Sequence, residues 1–82
     1  MGQILIVDDS STVRKHVYEF LTSQGLTVNQ AGDGREGLEK LKTDPEIKLI
    51  LCDVNMPNMD GLTMVEKIRS ELKNNTVNII MY

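Results

Sequence analysis

Asp8-Asp9 closes the apolar run Ile4-Leu5-Ile6-Val7, and Asp53 closes a second one, Leu49-Ile50-Leu51-Cys52. If both runs are parallel strands of one sheet, their ends deliver three carboxylates to the same rim. At about 4 Å and an effective dielectric of about 20, each pair of like charges repels by roughly 4 kcal/mol. Such a cluster has to bind a cation or hold protons, and that marks it as functional rather than structural. The plainer alternative is that each Asp caps a following helix or turn, as Asp often does. Three such acids at strand ends are better explained by a shared site.

The elements that position these acids follow from the pattern of apolar residues. Gln3 to Val7 is short, continuous and rich in β-branched residues, which suits a strand buried on both faces. Ser10 or Ser11 can cap a helix in which Val13, Val17, Phe20 and Leu21 recur at helical spacing through Gln24, with Gly25 as its stop. Leu26 to Ala31 alternates with polar residues, as an edge strand should. Gly32-Asp33-Gly34 turns into a helix carrying Leu38 and Leu41, and Asp44-Pro45 ends it. Ile47 to Cys52 forms the next buried strand, Asn55 to Gly61 a turn-rich loop, and Leu62, Val65, Ile68 and Leu72 the stripe of a third helix. Val77 to Tyr82 reads as a fourth strand. The order βαβαβαβ, with crossovers long enough for parallel neighbours, is that of an α/β open sheet with helices on both faces. In such sheets the ligand site lies beyond the carboxyl ends of the strands, where Asp8, Asp9 and Asp53 all fall.

Composition narrows the classes of function. The chain has 82 residues, enough for one domain at most, and 40% apolar content favours a folded core over disorder. With one Phe, two Tyr and no Trp, that core is aliphatic. A net charge of -3 argues against direct contact with nucleic acid, whose binders carry a basic face. The single Cys52 has no internal disulfide partner and reads as a buried thiol. No apolar run approaches the roughly 20 residues of a membrane span, so the expected address is cytoplasmic, with no membrane partner.

Other motifs carry less. A calcium loop starting at Asp53 would place Asn58 at the glycine position and Met64 where a bidentate Glu is needed. Gly32 to Gly37 matches G-x-G-x-x-G but follows the second strand, so a glycine turn into a helix is the simpler reading. His16 lies one position from the apolar stripe of the first helix, has no Cys or His partner at ligand spacing and reads as a boundary or surface residue. Arg14-Lys15 and Lys40 with Lys42 read as solvated helix faces. Met56 and Met59 suit packing, Asp60 suits a cap of the third helix, and Pro57 with Gly61 shapes the loop.

Ile6-Val7-Asp8-Asp9-Ser10 together with Cys52-Asp53-Val54-Asn55-Met56-Pro57-Asn58-Met59-Asp60-Gly61 resembles the receiver domains of two-component response regulators, of the single-domain chemotaxis type. The resemblance covers the whole chain and implies a flavodoxin-like sheet of order 2-1-3-4-5. It implies that Asp53 is the phosphoacceptor, that Asp9, Asp53 and the backbone carbonyl of Asn55 bind Mg²⁺, and that Asp8 joins the metal site mainly through a water. Mn²⁺ or Ca²⁺ would substitute. Mg²⁺ prefers oxygen ligands and keeps several waters, which suits such a donor set.

The implied partner is a sensor histidine kinase or phosphotransfer protein, with a small acyl phosphate as an alternative donor. The implied role is a signalling phosphoacceptor with at most its own phosphorylation and dephosphorylation as activity, not an enzyme on external substrates. An Asp-nucleophile phosphatase is the less favoured alternative, because Asp53-Val54-Asn55 lacks the second acid two residues on that would act as general acid. By the same resemblance, residues 1–82 form the N-terminal two-thirds of one receiver, a truncated βαβαβαβ without the last helix-strand-helix portion. The family's phosphoryl-binding Ser or Thr and Lys would then lie beyond Tyr82, which admits a non-switching interaction module as a further alternative. The open apolar edge Asn78 to Tyr82 leads us to expect self-association by strand pairing.

Overall fold

The computed structural model describes residues 3–44, 46–53, 61–70 and 77–82, the side chains of 61 and 62 excepted. Four strands and three helices alternate: β1 Ile4–Val7, α1 Ser11–Ser23, β2 Val28–Ala31, α2 Gly34–Thr43, β3 Leu49–Cys52, α3 Gly61–Ser70 and β4 Asn78–Met81. All pairings are parallel, and the sheet order is β2-β1-β3-β4. This is the open parallel α/β sheet expected from the alternating pattern, and its order agrees with the flavodoxin-like arrangement that the resemblance implies. The strand order reverses between β1 and β3, so the rim at their carboxyl ends is the switch point.

Period-two alternation divides the core between the two faces of the sheet. Leu5, Val7, Ile50 and Cys52 point to one side, where Leu38 and Leu41 of α2 and Met64 and Ile68 of α3 cover them. Ile4, Ile6 and Val28 point to the other, against Val17, Tyr18 and Leu21 of α1. β1 is buried at every position because it lies between both layers. The edge strand β2 keeps Asn29 and Gln30 only half-buried, as its polar alternation requires. β4 lies at the opposite edge of the described sheet, with Ile80 53% exposed.

The buried face of α1 departs from the expected stripe. Val13 is 43% and Phe20 64% exposed, while Val17, Tyr18 and Leu21 make the contact. At roughly 100° per residue, Leu21 and Tyr18 lie on one side of Val17 and Val13 and Phe20 on the other. The helix faces the sheet through the first group. In α3, Met64 and Ile68 are the buried pair and Val65 is only half-buried. An unbranched Met fills an irregular gap as readily as Leu, so its i,i+4 spacing with Ile68 was the available signal. Leu72 and the loop residues 54–60 lie outside the described residues.

The helix ends are held locally. Ser10 is the N-cap of α1, its Oγ accepting from the amide of Val13. At the other end the amides of Gly25 and Leu26 donate to the carbonyls of Thr22 and Leu21, with Gly25 at φ +83°. That double closure requires a left-handed residue, which glycine supplies without a Cβ clash. Asp33 caps α2 by accepting from Glu36, whose carboxylate in turn accepts from the Gly32 amide at 2.7 Å. The Gly32 to Gly37 segment is therefore a turn and capped helix start.

Candidate metal centre

The site grows from the register of β1 with β3. Val7 pairs with Cys52, and the amide of Asp53 donates to the Val7 carbonyl at 2.8 Å. Asp8 follows Val7 directly, and its amide donates to Ala31 on the other side at 3.1 Å. The backbone thus fixes Asp8 and Asp53 at one level of the rim, with Asp9 one residue further out. One carboxylate oxygen from each of Asp8, Asp9 and Asp53 lies within 4.8 Å of the others. The spacing expected from two strand ends is present.

Burial is graded across the cluster. Asp8 is 2% exposed and is the one buried charged residue of the core among the described residues, Asp53 is half-buried, and Asp9 is exposed. Asp8 is fully engaged by the protein. Its Oδ1 accepts from the Ser10 amide at 2.9 Å, its Oδ2 accepts from the Tyr82 hydroxyl, and its backbone carbonyl accepts from Arg14 Nη1 at 2.5 Å. Burial and the Asp8 hydrogen bond push the Tyr82 hydroxyl above the usual tyrosine range, with the charges of Asp8 and Asp53 adding to the shift. Tyr82 is therefore a protonated donor at neutral pH.

Two residues here escaped the sequence reading. Arg14 is not a solvated helix face: its guanidinium reaches back over six residues to the Asp8 carbonyl and brings a positive charge beside the acids. Tyr82 read only as the end of a strand, yet it donates into the site. Its backbone amide bonds to the Cys52 carbonyl at 3.0 Å, which sets its height beside Asp53. The N-terminal position of Arg14 in α1, near the acids in sequence, was the one available signal for it. Pairing of β4 with β3 was the signal for Tyr82. His16 is exposed, and Cys52 is a buried thiol whose Sγ donates to the Asp53 carbonyl at 3.3 Å.

The donor set fits a hard divalent cation. At 4.8 Å, two carboxylates repel by about 1 kcal/mol in water and about 3 kcal/mol at an effective dielectric near 20. Three pairs of that kind form a strongly negative rim whose charge an oxygen-preferring ion of charge two would largely offset. Soft or redox metals would instead call for sulfur or imidazole, and the one cysteine nearby, Cys52, is buried in the core. Asn55, whose carbonyl was expected to complete the ligand set, lies outside the described residues.

Residues 4–82 match the family model of the response regulator receiver domain. The chain belongs to the receiver family. This receiver is 45% identical over 80 residues to the chemotaxis protein CheY of Treponema pallidum, covering 95% of the present chain and 56% of that protein. It is 40% identical over 80 residues to CheY1 of Helicobacter pylori, covering 96% of the chain and 64% of that protein. A stretch of 67 residues is 43% identical to part of the sensor histidine kinase CheAY of Helicobacter pylori, covering 80% of the chain and 8% of that protein. Among solved structures, CheY4 of Vibrio cholerae matches with a TM-score of 0.90 at 37% identity, covering 99% of the chain and 67% of that structure. The receiver thus spans 56% and 64% of the lengths of the two chemotaxis relatives. Among its described residues no helix is long and apolar enough to cross a membrane.

Proposed function

We propose that this receiver accepts a phosphoryl group on Asp53, with a divalent cation, Mg²⁺ by preference, held by Asp9, Asp53 and the carbonyl of Asn55 and by Asp8 at longer range. The observation that carries the reading is the convergence of Asp8, Asp9 and Asp53 within 4.8 Å at the switch point of the sheet. Asp53 suits the nucleophile's role because it stands half-buried at the end of a central strand, fixed by its amide to Val7. When bound, the cation offsets the negative charge that would otherwise repel a phosphodonor from this rim.

The chain's own residues do the rest. A carboxylate oxygen of Asp53 attacks phosphorus, forming a P–O bond. The bond from phosphorus to the donor breaks, and its electron pair stays on the leaving imidazole nitrogen or acyl oxygen. Asp8, held by Ser10 and Tyr82, and Asp9, exposed beside it, keep the site polar and oriented. The modification adds a charge of about -1.5 to -2, which is the signal. The donor on this reading is a phosphohistidine of a sensor kinase or phosphotransfer protein in the cytoplasm. The similarity to a segment of a protein named as a sensor histidine kinase supports it.

Incubation with acetyl phosphate and Mg²⁺, followed by intact mass, tests the proposal. Labelling should saturate near one phosphate per chain and vanish in Asp53→Asn or on chelation. Continued turnover of a phosphomonoester would instead support the phosphatase alternative, and persistent label in Asp53→Asn would move the acceptor elsewhere.

A further inference from the structure

Tyr82 is the feature of the site that neither the fold nor the cluster of acids explains. Asp8 is almost completely buried, and each of its acceptor groups already has a protein donor: the Ser10 amide on Oδ1, the Tyr82 hydroxyl on Oδ2 and Arg14 on the main-chain carbonyl. Two of these donors are fixed in place by α1 and its cap. The third is different. The Tyr82 side chain belongs to a residue that is 50% exposed, and it reaches Asp8 from the far side of Asp53, across 74 residues of sequence. Its main chain is held at the level of Asp53 by the bond to Cys52, so only the side chain has to turn for the hydroxyl to leave.

From this arrangement we infer that the Tyr82 hydroxyl occupies Asp8 Oδ2 in the ion-free protein and yields that oxygen when a hydrated divalent cation enters, making Tyr82 a positioning residue that sets cation affinity. The inference rests on the reading of the three acids as a cation site. A phenol that keeps its proton can act at Asp8 only as a donor, and a hydrated cation approaches the same oxygen as a competing donor through its waters. Partial exposure lets the displaced hydroxyl exchange Asp8 for solvent. A buried tyrosine would be left without a partner and could not act in this way.

The test uses Mg²⁺ and three forms of the full chain: wild type, Tyr82→Phe and Tyr18→Phe. The chain has two tyrosines and no tryptophan, so in Tyr18→Phe the emission reports on Tyr82 alone. Tyr18, on the sheet-facing side of α1, packs against Ile4, Ile6 and Val28 instead. Mg²⁺ affinity is read from the amide shift of Asp9, and tyrosine emission from the same titration. Loss of a competing hydrogen bond to a charged acceptor at a half-exposed position should tighten Mg²⁺ binding in Tyr82→Phe by about three- to tenfold. In Tyr18→Phe the emission should rise with the same midpoint as the Asp9 shift, because release from a carboxylate relieves quenching of the phenol.

Equal or weaker affinity in Tyr82→Phe overturns the inference. So does an emission from Tyr18→Phe that stays constant while the Asp9 signal saturates, a readout that holds even if Tyr82→Phe folds poorly. Both of those results leave the cation site itself standing. If the Asp9 signal moves in none of the three proteins, the cation reading falls together with the inference.

Discussion

The amide of Asp53 donates to the carbonyl of Val7 at 2.8 Å, one residue before Asp8. Two acids that are 45 positions apart in sequence (53 minus 8) are thereby set on one rim by a single backbone hydrogen bond of the β1–β3 pairing. A one-residue slip would send Cys52 to the opposite face and separate the acids, but the buried alternation of Leu5, Val7, Ile50 and Cys52 holds the register. Core packing and site geometry have the same cause.

Removing one charge from the cluster should relieve strain in the metal-free protein. Asp53→Asn keeps the side-chain shape and removes two repulsive pairs of about 1 to 3 kcal/mol each at full ionisation. We therefore expect urea unfolding without divalent ions to show Asp53→Asn as stable as wild type or more so. Saturating Mg²⁺ should reverse the difference. At a hundredfold excess over its dissociation constant an ion contributes about 2.7 kcal/mol to the chain that binds it, and Asp53→Asn should gain less. A strong loss of stability in Asp53→Asn without metal would show that the acid serves the fold.

Two glycines give contrasting tests of the scaffold. A Cβ at Gly25 would meet nothing within 4 Å, yet its φ of +83° lies in the left-handed region. Gly25→Ala should cost about 1 to 2 kcal/mol through the backbone alone. At Gly37 a Cβ would meet Val7 Cγ2 at 3.0 Å and Met64 Sδ at 3.1 Å. Alanine there gains about 0.5 to 1 kcal/mol of helix propensity and loses about 1 to 3 kcal/mol to overpacking, so a net loss is expected. The two can be told apart by Met64→Ala, which should offset part of the Gly37→Ala loss in a double-mutant cycle, the Val7 contact remaining, and leave the Gly25→Ala loss unchanged.

Most of this architecture was legible because it follows from local periodicity. Continuous apolar runs marked β1 and β3, and the acids that end them marked the site. What escaped was decided by tertiary geometry. The rotation of α1 about its axis left Phe20 exposed and turned Tyr18, half-buried, onto the sheet, although both are aromatic and two residues apart. Arg14 looked like any cation on a helix until the turn after β1 brought the Asp8 carbonyl within reach. The Tyr82 to Asp8 bond depends on β4 lying beside β3, a pairing contained in the strand order that the resemblance implies, and on the reach of one side chain past Asp53, which that order does not give.

Paramagnetic broadening by substoichiometric Mn²⁺ tests the central claim most directly. If Asp8, Asp9 and Asp53 share one divalent ion, the amide signals of residues 8, 9 and 53 should broaden together, ahead of other acidic positions such as Glu39 and Glu66, and excess Mg²⁺ should restore them. Broadening confined to one of the two stretches, or spread evenly over the exposed carboxylates, would contradict it.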